Sequence, residues 1–200
     1  MAASDSTPRQ GGKKVKFPWK KTISKEYEEN AELKKEDVEA LNEWMKSTEY
    51  LPSIDDELIA HFLHACFYDI DKTKKAIDYY YTSRIKSPIF YTNLDPTSQE
   101  LQNTIKNVLL FAPLPQLDKD GNKVFVFKYR EGCLEQFNYV DTCRWMMMAT
   151  FYNLWSNETN TGIISIFDTR DISLSHFPQA SFSDVRDFSN IGKYGTPLRI

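Results

Sequence analysis

Three consecutive methionines, Met146, Met147 and Met148, lie in a stretch from Trp145 to Trp155 that also holds Phe151, Tyr152 and Leu154. Thioether side chains are polarizable and adaptable, so the chemistry they suit is binding: a soft wall around an irregular apolar guest. Plain core packing uses the same residues, because a helix that is apolar all round is buried on several sides. The polar candidates are weaker. His61 and His64 share one helical face, but Cys66 falls elsewhere and no cysteine pair completes a zinc set. Asp118-Lys119-Asp120-Gly121 resembles the start of a calcium loop, yet its glycine comes too early and the twelfth position is Tyr129, not glutamate. It reads as a hairpin turn. His176 follows Asp168 and Asp171 without a nucleophile beside them, which favours a structural role. Gly-x-Ser-x-Gly, P-loop and Gly-x-Gly-x-x-Gly patterns are absent. These residues therefore point to no catalytic set, no metal and no cofactor.

Charge and cysteine usage narrow the class. The net charge is −3, which gives no general case for nucleic acid. It is unevenly spread: residues 1–25 carry +6 and the remainder −9. A basic tail of this kind is either solvated or drawn to an anionic membrane surface. The N-terminus shows no signal peptide, and no apolar run approaches a membrane span. Cys66, Cys133 and Cys143 are three and scattered, as expected of reduced thiols in the cytosol. The expected location is cytoplasmic, with peripheral membrane contact as a further expectation. Asn157-Glu158-Thr159 fits a glycosylation acceptor, which has no meaning without secretion.

The elements that must position these residues change period midway. Val38, Leu41 and Met45 recur at helical spacing, then Leu58, Ile59, Phe62, Leu63 and Cys66, then Thr73, Ala76, Ile77, Tyr80 and Tyr81. Asp55 and Asp71 are candidate caps for the second and third of these helices. Asp95-Pro96 opens a fourth, carrying Leu101, Ile105 and Val108. Val124 to Tyr129 is then β-branched and aromatic, a strand. A helix follows over about Tyr139 to Trp155, then a strand from Gly162 to Asp168. Ser183 is a candidate cap for a helix with Val185, Phe188 and Ile191. Pro197 to Ile200 reads as the opening of a third strand. Strand–helix–strand alternation implies βαβ units and parallel strands, and a third strand cut short implies an incomplete domain.

Specific stretches resemble a known family. Asp55 to Asp71, with its acidic cap, Phe62-Leu63 and Tyr68-Asp69, resembles the N-terminal helical signature of CRAL-TRIO proteins, although His61, His64 and Cys66 stand where the family carries arginines. Tyr79 to Arg84 resembles the aromatic end of the next helix. Leu117 to Val126 resembles the hairpin that opens the lipid-binding domain. Gly162 to Asp168, continuing through Ser173-Leu174-Ser175-His176, resembles the Ile-Phe-Asp strand and its loop. The order and spacing hold from about residue 34 to 200, and the tocopherol-transfer and retinaldehyde-binding branch is nearest in pattern.

The resemblance implies an α/β fold: an N-terminal helical bundle followed by an incomplete CRAL-TRIO lipid-binding domain with a parallel sheet flanked by helices. The expected divisions are a basic disordered tail over 1–30, the helical region over 31–94 and the partial lipid-binding domain over 95–200. The implied function is non-catalytic binding and intracellular transfer of a tocopherol-, retinoid- or phospholipid-like molecule. The implied ligand-facing residues are Cys143, Met146, Met147, Thr150 and Phe151 on the helix, Ile163 and Phe167 on the strand, and Phe188 and Ile191 on the last helix. Thr150 would offer a hydroxyl to a polar head. Arg199 matches a basic position on the strand entering a phosphoinositide headgroup cleft. The alternative is a truncated interaction module that uses an exposed sheet edge without lipid transfer. Oligomeric state is left open, and no nucleic-acid partner is expected.

Overall fold

The computed structural model describes Trp19 and residues 21–156 and 162–199. Most of the basic tail, the Asn157-Glu158-Thr159 acceptor and Ile200 lie outside the described residues. The order is α1 (Ile23–Glu29), α2 (Lys35–Ser47), α3 (Asp56–Ala65), α4 (Ile70–Lys86), a 3-10 turn (Pro88–Phe90), α5 (Gln99–Asn103), a wide π turn (Thr104–Val108), β1 (Leu109–Leu117), β2 (Lys123–Tyr129), a 3-10 turn (Cys133–Gln136), α6 (Tyr139–Ser156), β3 (Ile163–Asp168), a 3-10 turn (Leu174–Gln179) and α7 (Phe182–Gly195).

The first helix corrects the expectation of a disordered tail through residue 30. Ile23 and Tyr27 of α1 pack on the helical core, and Lys21 bridges Glu26 at 3.1 Å and Glu29 at 2.9 Å. Trp19 stacks on His61 and donates Nε1–H to Asp55 Oδ2 at 3.2 Å. A segment read as polar from its lysines is thus anchored by its three apolar rings and chains, while the lysine stem lies along the surface.

The helical half closes as its stripes require. Val38, Leu41 and Met45 of α2 meet Leu58, Ile59, Phe62 and Leu63 of α3 and Ala76 and Ile77 of α4 in one buried cluster. Phe62 meets the edge of Tyr80 with ring centroids 5.2 Å apart. Four caps differ from expectation. Asp55 sits at the N-cap of α3 but directs its carboxylate to Trp19 rather than to the helix. Asp69, not Asp71, accepts the Lys72 N–H at 2.9 Å and caps α4. Ser181, not Ser183, accepts the Asp184 N–H at 3.0 Å and caps α7. Each capping side chain lies three residues before the N–H it accepts, the geometry a cap needs. Asp95 makes its own tight turn with Thr97, and Ser98 caps α5.

The sheet is three-stranded and mixed, in the order β1-β2-β3. β2 and β3 pair in parallel from Lys123↔Ile163 to Lys128↔Asp168, with α6 as the crossover. This is the α/β arrangement the alternation implies. β1 pairs antiparallel with β2 and was not legible as a strand. Its Pro113 and Pro115 argue against a central strand, but β1 is an edge, where a missing N–H is tolerated, and its register breaks between Pro113 and Leu117. The connecting turn is built by Asp118, whose Oδ1 accepts the N–H groups of Asp120 and Asn122, with Gly121 at φ +83°. Pro197 to Arg199 do not form a further strand, although the Arg199 carbonyl accepts the Ile163 N–H at 2.7 Å beside β3.

Helix α7 folds back onto α4. Gly195 permits the approach, since a Cβ there would come within 2.8 Å of Tyr79 Cδ1. Ile191 and Phe188 of α7 then join Phe90, Cys143 and Met147 in a second buried cluster that welds α6 to the helical half.

Candidate functional site: an apolar cleft beside helix α6

Alternation along β1 and β2 sends Leu109, Phe111, Phe125, Phe127 and Tyr129 to one face of the sheet, where they meet Trp145 and Met146 of α6. Phe111 stacks on Phe125 with centroids 5.3 Å apart and tilts against Phe127 at 4.9 Å. The helix does not seal this face. A cleft of about 730 Å³ opens between β1–β2 and α6. Phe111, Pro113, Phe125, Trp145, Met148 and Phe151 form most of its wall, with Leu94 and Pro96 at one side and Lys123, Tyr152 and Asn153 as the polar contributions. Its size falls in the ordinary range for small-molecule pockets.

The geometry splits α6 into two faces. Cys143 and Met147 point away from the cleft into the buried cluster with Phe90 and Ile191. Burial pushes the Cys143 thiol up to about 12, so it stays a protonated, inert packing group. Met148 and Ala149, one position on, face the cleft. A 100° step between successive helical residues separates the two roles.

The residues implied by resemblance therefore divide. Phe151 lines the cleft. Met146 and Phe167 line a narrow crevice between α6 and β3, and Ile163 packs on the same sheet face. Phe167 also stacks on Phe127 at 4.7 Å. Cys143, Met147, Phe188 and Ile191 do not reach the cleft; they fill the space between α6, α7 and the 88–90 turn. The Thr150 hydroxyl donates to the Met146 carbonyl at 2.8 Å, so its proton is committed to the helix. Reading by resemblance missed Phe111, Phe125, Trp145 and Met148. The alternation of Val124 to Phe127 carried a signal for Phe125. Phe111 had none, because β1 itself was not recognised.

Trp145 is unusual within the wall. Its indole Nε1 is buried and finds no hydrogen-bond partner among the described residues. An orphaned donor of this kind costs about 1–3 kcal/mol.

The other sequence candidates resolve into structural roles. Burial holds His61 down to about 4. Burial, and then the nearby Arg199 guanidinium, holds His64 down to about 4. Arg199 donates Nε–H to the His64 carbonyl at 2.7 Å and lies 4.1 Å over the Phe67 ring, so it closes the C-terminal end of α3. Phe67 and Tyr68 both adopt positive φ there, at +56° and +59°. His176 Nδ1 lies 3.1 Å from the Ser173 N–H and 3.2 Å from the Ser173 carbonyl, and Nε2 lies 3.7 Å from Cys133 Sγ, so the ring is held in its own loop. Asp168 pairs with Arg170, which holds its carboxyl far below the usual range, and Asp171 pairs with Lys128 at 3.1 Å. Among the described residues no group of three or more His, Cys, Asp or Glu is placed to hold a metal ion. No helix among them is long and apolar enough to cross a membrane.

The helical half leads into a mixed sheet with α6 as crossover, and residues 107–200 match the CRAL/TRIO domain. Residues 30–101 match the Pinta-like UBA domain. Among curated proteins the chain is similar to the alpha-tocopherol transfer protein-like proteins of Mus musculus, at 26% identity over 178 residues, and of Homo sapiens, at 25% over 182 residues. Each alignment takes in 88% of this chain and 51% of the relative, so the chain spans about half the length of the curated relatives it matches.

Proposed function

We propose that this chain is a non-catalytic module that binds a hydrophobic small molecule and passes it between membranes. The observation that carries the reading is the apolar cleft of about 730 Å³ between β1–β2 and the methionine-bearing face of α6. The match of residues 107–200 to the CRAL/TRIO domain and similarity to alpha-tocopherol transfer protein-like proteins support it. A guest that covers this wall gains about 25 cal/mol for each Å² of apolar surface removed from water, and Met148 adapts to its shape. The ligand class is tocopherol-, retinoid- or phospholipid-like. Phe151 belongs to the proposed wall, Met146, Ile163 and Phe167 extend it towards β3, and Cys143, Met147, Phe188 and Ile191 form the packed back of α6. A phosphoinositide contact at Arg199 is a subsidiary proposal. Its Nε is committed to His64, leaving the terminal guanidinium nitrogens for phosphate.

Native mass spectrometry of the purified chain, followed by solvent extraction, tests the main reading. A stoichiometric apolar compound is expected. Recovery of none, together with no uptake of an added retinoid, tocopherol or phospholipid, overturns it. Sedimentation with phosphoinositide-containing vesicles, before and after Arg199→Ala, tests the subsidiary contact.

One observation favours a second reading. β3 is an outer strand, and its Ile166 and Phe167 are 49% and 54% exposed. Such an edge suits strand addition by another chain. A concentration-dependent mass increase in light scattering, without any bound lipid, would favour that interaction module.

A further inference from the structure

We propose that the cleft selects amphiphiles with an anionic polar end, a carboxylate in the simplest case, and that Lys123 is the residue that selects them. This inference rests on the carrier reading above and specifies its ligand. Lys123 pairs with Ile163 in the register of β2 and β3 and alternates in phase with Phe125 and Phe127, so it stands on the sheet face that looks at α6. Among the described residues it is the single charged residue of the cleft wall, and no aspartate or glutamate among them lines it.

The ammonium is also under-used. Among the described residues its hydrogen bond goes to a neutral acceptor, the Leu114 carbonyl, at 2.7 Å. An ammonium carries three donors, so two remain for an incoming group. Asp118, five residues before Lys123, is turned into its own hairpin, accepting from Asn122 and Asp120. The remaining polar wall groups do not compete. Trp145 Nε1 is buried, and Tyr152 and Asn153 have interactions of their own. A carboxylate at the Lys123 end would gain charge-assisted hydrogen bonds while its hydrocarbon body lay along Phe111, Phe125 and Met148. An alcohol of the same chain length would bury the same apolar surface without that gain.

The test is a pair of titrations on the delipidated full chain, with oleate and with oleyl alcohol, followed by tryptophan fluorescence because Trp145 borders the cleft. Oleate is expected to bind about tenfold tighter or more. Lys123→Met, which keeps an unbranched chain of similar bulk, should erase the preference for oleate over the alcohol, and Lys123→Arg should restore it. Equal binding of both probes by the unaltered chain, or an oleate preference that survives in Lys123→Met, overturns the assignment while the cleft stands as a binding site. Failure of both probes to bind overturns this inference, and the carrier reading falls with it only where an added retinoid, tocopherol or phospholipid also fails to bind.

Discussion

The two halves of the molecule bury their apolar residues to very different degrees. In the helical half Leu41, Ile59, Phe62, Leu63 and Ile77 are completely enclosed by one another. In the α/β half Phe167, Ile166 and Leu110 keep between 39% and 54% of their surface in water, and a cleft separates the sheet from α6. Both halves are equally rich in large apolar side chains, so composition does not make the difference. Three helices close on one another through their stripes, whereas a three-stranded sheet has two faces and two edges to cover. The half that packs solid supplies stability; the half that stays open holds the cleft.

The sharpest way to break this contrast is truncation of a large side chain in each half. Phe62→Ala should cost about 3–5 kcal/mol in urea unfolding, the range for removing a buried aromatic ring. Phe167→Ala, half exposed, should cost less than about 1 kcal/mol. Similar losses at both positions would show that the halves are packed alike.

Acid should weaken the helical half next. His61 and His64 titrate at about 4 in the folded chain, against an ordinary value near 6.5. Between these values the unfolded chain binds more protons than the folded one, so stability rises with pH in that window. It is complete above about pH 6.5, falls as pH drops towards 4, and is lost below that. The loss is on the order of a few kcal/mol. Urea midpoints from pH 7.5 to 4.5 should show it, and His61→Phe should flatten the slope.

Smaller effects sharpen the boundary between the halves. Arg199→Ala removes a hydrogen bond to the end of α3 and the stack on Phe67, at a cost of about 1–2 kcal/mol. Ala149→Trp places a ring in the cleft. It should shift stability by less than about 1 kcal/mol because the space is already open, yet reduce binding of an apolar ligand at least about tenfold. Trp145→Phe deletes an unpaired buried N–H and should change stability by less than about 1 kcal/mol despite the smaller ring, since relief of that group offsets lost contact.

Legibility also differed between the halves. The stripes of α2, α3 and α4 could be read residue by residue, because helical period and burial coincide there. The resemblance carried by Asp55 to Asp71 and Gly162 to Asp168 led to the family. Position along α6 was harder. With apolar residues on every side, the sequence offers no means of telling its packed face from its cleft face, and Cys143 and Met147 fall on the packed one. β1 was hidden by Pro113 and Pro115, and α1 by its lysines.

From the sequence by itself came the helical-then-α/β order, the parallel pairing of β2 with β3 and the hairpin at Asp118. These are local properties: a period, a turn residue, a run of β-branched side chains. Only the tertiary structure decided that α7 backs onto α4 and α6, that Met148 rather than Met147 meets open space, and that Lys123 stands beside an apolar wall. Those depend on which elements meet, and a chain of residues carries that information only through the packing of side chains far apart along it.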